Sequence, residues 1–102
     1  MMRMMLMIRL PNETFNAAVR DGTAVAKTKA ILDEISPEAV YFTETGGQRT
    51  VVMIVEVENA ARVPALAEPW FLTFNAAVEF HVVMSEQELQ AGGLDALGAK
   101  WT

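Results

Sequence analysis

Cysteine is absent from this 102-residue chain, and disulfides, thiolate nucleophiles and cysteine-held metals are excluded with it. Histidine occurs once, at His81, so no site can draw on several imidazole ligands, whereas a carboxylate-bound magnesium or calcium remains compatible with the inventory. The serines are Ser36 and Ser85, both at the ends of expected helices, which removes a serine triad. No glycine-rich phosphate loop occurs, because Gly46-Gly47 joins two expected strands and no helix follows it. Long apolar runs are missing too. The run at residues 4–8 stops at Arg9, shorter than the apolar region of a signal peptide, and nothing later approaches the length of a membrane span. The expectation is a soluble, cytoplasmic chain. Basic residues are few, eight against thirteen acidic ones, and the net charge of −5 argues against nucleic acid and anionic membranes as partners.

What the chain does have is apolar surface. At 52% hydrophobic residues it lies slightly above the ordinary range, in a length that makes one domain (1–102, with a core at 3–90 and a tail at 91–102). That excess predicts a second subunit.

Residues 4–10 read as a strand apolar on both faces, ended by Pro11, with Asn12 as the expected N-cap of a helical stretch at 13–35. Phe15, Ala18 and Val19 share one face of that stretch, whereas Ala24, Val25, Thr28, Ile31, Leu32 and Ile35 share another. A break is therefore expected at Asp21-Gly22-Thr23, with Thr23 capping the second segment and Ser36-Pro37 closing it. Residues 39–45 alternate, Gly46-Gly47 makes a tight hairpin, and 49–57 return as a second strand apolar on both faces. Asn59 caps a short helix to Glu68, kept short or broken by Pro64 and Pro69. Residues 75–84 form a fourth strand, and Ser85-Glu86-Gln87-Glu88 is a capping box opening a helix that reaches Gly92-Gly93.

This order is the split βαβ pattern, an α+β ferredoxin-like βαββαβ fold with a four-stranded antiparallel sheet of order 4-1-3-2 and helices on one face. The two doubly apolar strands fall at its centre and the two alternating ones at its edges. The helix-covered face is assigned Leu6, Ile8, Leu10, Val40, Phe42, Val51, Met53, Val55, Val78, Phe80 and Val82. The other receives Met5, Met7, Arg9, Tyr41, Thr43, Thr45, Val52, Ile54, Glu56, Glu79, His81 and Val83. Met5, Met7, Val52 and Ile54 make its centre too apolar for water, which predicts a homodimer closing over it as a dimeric α+β barrel.

Candidate site residues lie mainly on that second face. Arg9 is expected beside Glu79, either as a cross-strand ion pair or as a charge offered to an anionic ligand. His81 is the acid–base candidate if chemistry exists, and otherwise a hydrogen-bonded structural residue; no His81–Glu56 dyad is expected, since the first strand lies between them. Tyr41 is a ligand hydrogen-bond donor or a half-buried edge aromatic. Trp70 plugs the end of the barrel between the second helix and the last strand, or walls a ligand pocket. Leu97 and Trp101 in the tail need something to pack against.

Asn16-Ala17-Ala18-Val19-Arg20-Asp21-Gly22, Pro37-Glu38-Ala39-Val40-Tyr41-Phe42 and Ala67-Glu68-Pro69-Trp70-Phe71 leading into Val78-Glu79-Phe80 resemble a family of short uncharacterised bacterial proteins of the ferredoxin-like, dimeric α+β barrel type. The resemblance covers most of residues 3–90 and implies the fold without an activity. The wider superfamily includes cofactor-free monooxygenases, lactone isomerases and haem-degrading enzymes. The last are similar in placing a tryptophan before the final strand and a histidine on it, as Trp70 and His81 are here, but they also use an asparagine on the first strand. Residues 4–10 hold none, and no cofactor is expected.

Two functions compete, beside a third possibility, a subunit of a larger assembly with Leu97 and Trp101 of the tail docking on a neighbour. One is a homodimeric domain that binds a small, partly apolar molecule or another protein without chemistry of its own. The other is a cofactor-independent, monooxygenase- or isomerase-like enzyme with His81 as acid–base and Arg9 or Tyr41 orienting substrate.

Overall fold

The computed structural model describes residues 1–102. Strand β1, Met2–Leu10, ends at Pro11, which leads directly into helix α1, Asn12–Arg20. Helix α2, Ala24–Ile35, buries Ala24, Thr28 and Ile31, a spacing that keeps one stripe on the sheet. The break between the helices falls where expected, with Gly22 in the left-handed region at φ +82°. Its cap differs from expectation. Thr23 makes no side-chain cap of α2; instead the Asp21 carboxylate accepts the Thr23 backbone N–H at 2.9 Å and its hydroxyl at 2.5 Å. These two bonds hold the Asp21 carboxyl below the usual carboxylate range, the hydroxyl bond most of all. Asn12 is likewise the first helical residue rather than a cap, and its amide reaches across to the Gly47 carbonyl at 3.3 Å.

Strand β2, Ala39–Thr45, and strand β3, Gln48–Val57, are joined by Gly46-Gly47 alone, with Thr45 opposite Gln48. Both glycines have positive φ, +58° and +80°, as a two-residue turn matching the strand twist requires. Asn59 then caps a single 3₁₀ turn, Ala60–Arg62, and helix α3 runs Val63–Phe74. Here the expected short helix is corrected: α3 continues through Pro69 and takes in Trp70 and Phe71. Leu66, Ala67, Trp70 and Phe74 form one buried stripe, and the carbonyl that Pro69 leaves without a donor belongs to Ala65, which is exposed and free to bond water. Asn75, at φ +55°, ends α3, so strand β4 is shorter than expected, Ala77–Val82.

The sheet order is β2-β3-β1-β4 and every pairing is antiparallel, the order expected from the chain topology. Helices lie on one side in a ferredoxin-like arrangement. Leu6, Ile8, Val51 and Met53 are completely buried beneath them, packed with Trp70 and Phe74. The expected barrel is overturned. β2 pairs only with β3 and β4 only with β1, so both outer edges are unpaired and the sheet is open. Four strands are too few to close on themselves; filled barrels need about eight.

The chain after β4 departs most from a compact domain. Helix α4, Glu86–Ala91, and helix α5, Leu94–Lys100, project as an arm in which every residue from 84 to 102 is exposed. The molecule measures 59 × 28 × 19 Å, and its 17.0 Å radius of gyration exceeds the roughly 13 Å of a compact chain this size. No helix is long and apolar enough to cross a membrane.

Candidate functional site

The uncovered face of the sheet is built in rungs. Tyr41, Val52, Met7 and Glu79 lie side by side across the four strands, and Ala39, Ile54, Met5 and His81 form the next rung. Because side chains alternate along each strand, all of these open-face positions share one side, opposite to Leu6, Ile8, Val51 and Met53. Met5, Met7, Val52 and Ile54 are half-buried by one another, an apolar centre with polar groups at both ends.

At one end a chain of contacts crosses all four strands. Thr45 and Thr50 bring their hydroxyls to 2.6 Å, and Arg9 Nε donates to Thr45 Oγ1 at 3.3 Å. Arg9 Nη1 pairs with Glu79 Oε2, and Glu79 Oε1 lies 3.1 Å from His81 Nε2. The Arg9 side chain lies over β3, which leaves Thr50 only 1% exposed although it is on the open face. The register places Glu79 opposite Met7 and diagonal to Arg9, a span that a long guanidinium side chain covers.

At the other end Arg3 forms a two-pronged pair with Glu38, Nε to Oε2 at 2.8 Å and Nη2 to Oε1 at 3.0 Å, with Glu56 at 3.7 Å. This hydrogen-bonded pairing holds the Glu38 carboxyl below its ordinary range and raises Arg3. Glu56 is thus engaged by Arg3, while the carboxylate beside His81 is Glu79, two residues back on the same strand and face.

Four of the five singled-out residues therefore share one face: Arg9, Glu79 and His81 in direct contact, and Tyr41 exposed on the β2 edge without a hydrogen bond to the protein. Trp70 is elsewhere. It is fully buried in the helical layer, stacked on Phe74 with ring centroids 6.3 Å apart, and its indole N–H has no protein partner. The structure brings it to none of the other four. Chemically, Arg9 and His81 address the same carboxylate, one on each oxygen, so the strongest polar groups of the face are engaged with one another. No three carboxylate or imidazole groups cluster to hold a metal ion.

Sequence reasoning missed two things. One is the Thr45–Thr50 hydroxyl pair beneath Arg9, whose only signal was that both lie on the face already assigned to Arg9. The other is a cavity of about 610 Å³ on the helical side, between α1, α2 and the β2 edge, lined by Phe15, Val19, Val25, Leu32 and Phe42 among others. Val25 and Phe42 were expected under cover, yet they are 81% and 63% exposed. The rotated stripes of the two helices pointed to a break between them but not to a groove over β2.

Fold and face together define a class, an open-sheet α+β domain of ferredoxin-like arrangement with one helical layer. Beyond that class, no protein-family model matches the chain, and no curated protein matches it.

Proposed function

We propose that the protein is a homodimeric interaction domain without chemistry of its own, and that two copies meet through the open faces of their sheets. The observation that carries this reading is the composition of that face, an apolar centre of Met5, Met7, Val52 and Ile54 between the Arg9–Glu79 pair at one end and Arg3, shared by Glu38 and Glu56, at the other. The centre of such a surface leaves water readily, because it is hydrocarbon and thioether and the arginines at its two ends already have carboxylate partners. Two sheets stacked about 10 Å apart would interdigitate these side chains. Removing a few hundred Å² of apolar surface per subunit at about 25 cal/mol per Å² contributes several kcal/mol before association costs. A small, partly apolar ligand held between the sheets would meet the unbonded hydroxyls of Tyr41 and Thr43 on the β2 edge. His81 is held through Nε2 by Glu79, which carries Arg9 on its other oxygen, so the imidazole has a structural place in the face.

Light scattering of the purified protein and of Met7→Glu tests the reading. The parent protein is expected at twice the chain mass or a multiple of it. The variant, with an unpaired carboxylate at the centre of the face, is expected to fall apart at the sheet contact with unchanged far-UV circular dichroism. A parent that stays monomeric up to high concentration overturns the proposal, as does a Met7→Glu variant that assembles like the parent.

A further inference from the structure

The arm at residues 84–102 and the α1–α2–β2 cavity are the two least satisfied parts of the molecule. Helices of six and seven residues do not hold themselves in water, since the cost of the first turn outweighs what so few hydrogen bonds return. A capping box at Ser85 and Glu88 closes the start of α4, but nothing covers its apolar side or that of α5. Leu94, Leu97 and Trp101 recur at a helical spacing that gathers them on one face, with Leu89 preceding them, and Trp101 is 77% exposed. This is the pattern of a helix that lies in a groove. The cavity is such a groove, floored by Phe15, Leu32 and Phe42 and flanked by Val19 and Val25.

The two cannot meet within one chain as it is folded. The arm leaves β4 beside Met4, at the far edge of the sheet, whereas the groove lies over β2 at the level of Ile8, since Phe42 is opposite Val51 and Val51 opposite Ile8. They occupy diagonally opposite corners, and the arm extends the long axis of the molecule rather than returning across it. We infer that the C-terminal arm of one copy packs into the α1–α2–β2 groove of a second copy. Charge is compatible with this at the rim only: the arm bears Glu86, Glu88 and Asp95 against Lys100 alone, and although Lys29 in the groove is paired with Asp33 at 2.8 Å, Arg20 follows Val19 at the rim and Arg49 lies over the Phe15 ring. Area is consistent as well. An aromatic side chain buries about 150–250 Å², so one seated arm falls short of the roughly 1,600 Å² of a stable interface. Two arms exchanged reciprocally, or one added to a sheet-face contact, approach it. The inference does not depend on the sheet-face dimer.

Trp101 supplies the readout, because the only other tryptophan, Trp70, is fully buried in the body. Fluorescence of the full chain minus that of Trp101→Phe isolates the arm. With rising protein concentration Trp101 emission is expected to shift to the blue and its acrylamide quenching to fall several-fold. Val25→Glu, at an exposed groove position, should leave Trp101 quenchable at every concentration with the circular dichroism unchanged; Met7→Glu should leave the shielding in place. Trp101 equally open to acrylamide at all concentrations overturns the inference. So does shielding that persists undiminished in the monomer on dilution, which would mean that the arm folds back on its own chain. If Met7→Glu does not alter the mass while Trp101 is shielded, only the sheet-face reading falls. If Met7→Glu lowers the mass while Trp101 stays open, only the arm falls.

Discussion

The two faces of the sheet are made by the same strands and differ by one residue of phase. On one face Leu6, Ile8, Val51 and Met53 are wholly excluded from water; on the other Met5, Met7, Val52 and Ile54 are only half so. Both sets are apolar, so composition does not separate them. What separates them is a covering layer. The helices supply it for the first set, whereas the second has only its own neighbours and two long arginine side chains. A face can thus be hydrophobic by sequence and unfinished by structure, and that residue of uncovered surface is what gives the molecule a reason to associate.

The contrast is open to a direct attempt to break it. Leu6→Ala removes three carbons from a site packed on every side and is expected to cost about 2–5 kcal/mol. Met7→Ala, one residue along, removes a longer side chain from a half-open site and is expected to cost about 1 kcal/mol or less in the monomer. Urea unfolding at low protein concentration, where association contributes least, measures both. Equal losses would mean that the open face is as covered as the helical one and would remove the distinction.

A smaller effect concerns what keeps the two faces apart. Because side chains alternate with period two, a slip of one residue between β2 and β3 would exchange inward and outward sets. The Gly46-Gly47 turn holds the register at Thr45–Gln48. At Gly47, φ is +80° and a Cβ would meet nothing within 4 Å, so Gly47→Ala tests backbone conformation alone. A loss of about 1–2 kcal/mol in unfolding free energy is expected, with little change of contacts. A neutral substitution would mean that the pattern of the strands sets the register without the turn.

Much of this was readable from residue order. The phase of β1 and β3, the break at Gly22 and the capping box at Ser85 follow from local rules that act within a few residues, and the edge positions of β2 and β4 from the order of elements along the chain. The failures share a different cause. Pro69 reads as a helix breaker, but the burial of Trp70 and Phe74 on one stripe carries α3 past it, a tertiary gain that local propensity does not contain. Phe42 and Val25 read as core because they are apolar and correctly phased, yet α1 and α2 leave a groove open over β2, and the placement of two helices on a sheet is not written in a hydrophobic stripe. At the site, the Arg9–Glu79 pair was legible because strand order and direction bring those residues together, whereas the Thr45–Thr50 hydroxyl contact depends on side-chain reach that register does not specify.

The smallest effect distinguishes the two ends of the open face by pH. Glu38 is held below its ordinary range, first by its hydrogen bonds from Arg3 and then by the charge of that guanidinium. A carboxyl whose folded value is depressed stabilises the fold fully above its unfolded value, near 4.3, and that contribution is lost as the pH falls through the lower folded one. Glu38→Gln should therefore be slightly less stable than the parent near neutrality, and the difference should shrink to nothing as urea midpoints are followed from about pH 6 to about pH 3. The pair is exposed, so the gap is expected to be small and to narrow further in high salt. Asp21 is also held low, by Thr23, and its acid loss cancels in the comparison, whereas Glu88 is held low first by Ser85 and last by the charge of Arg3, so only its Ser85 part cancels. A difference that stays constant down to the lowest pH would mean that Glu38 acts through packing rather than charge, and the Arg3 end of the face would then owe its closure to shape alone.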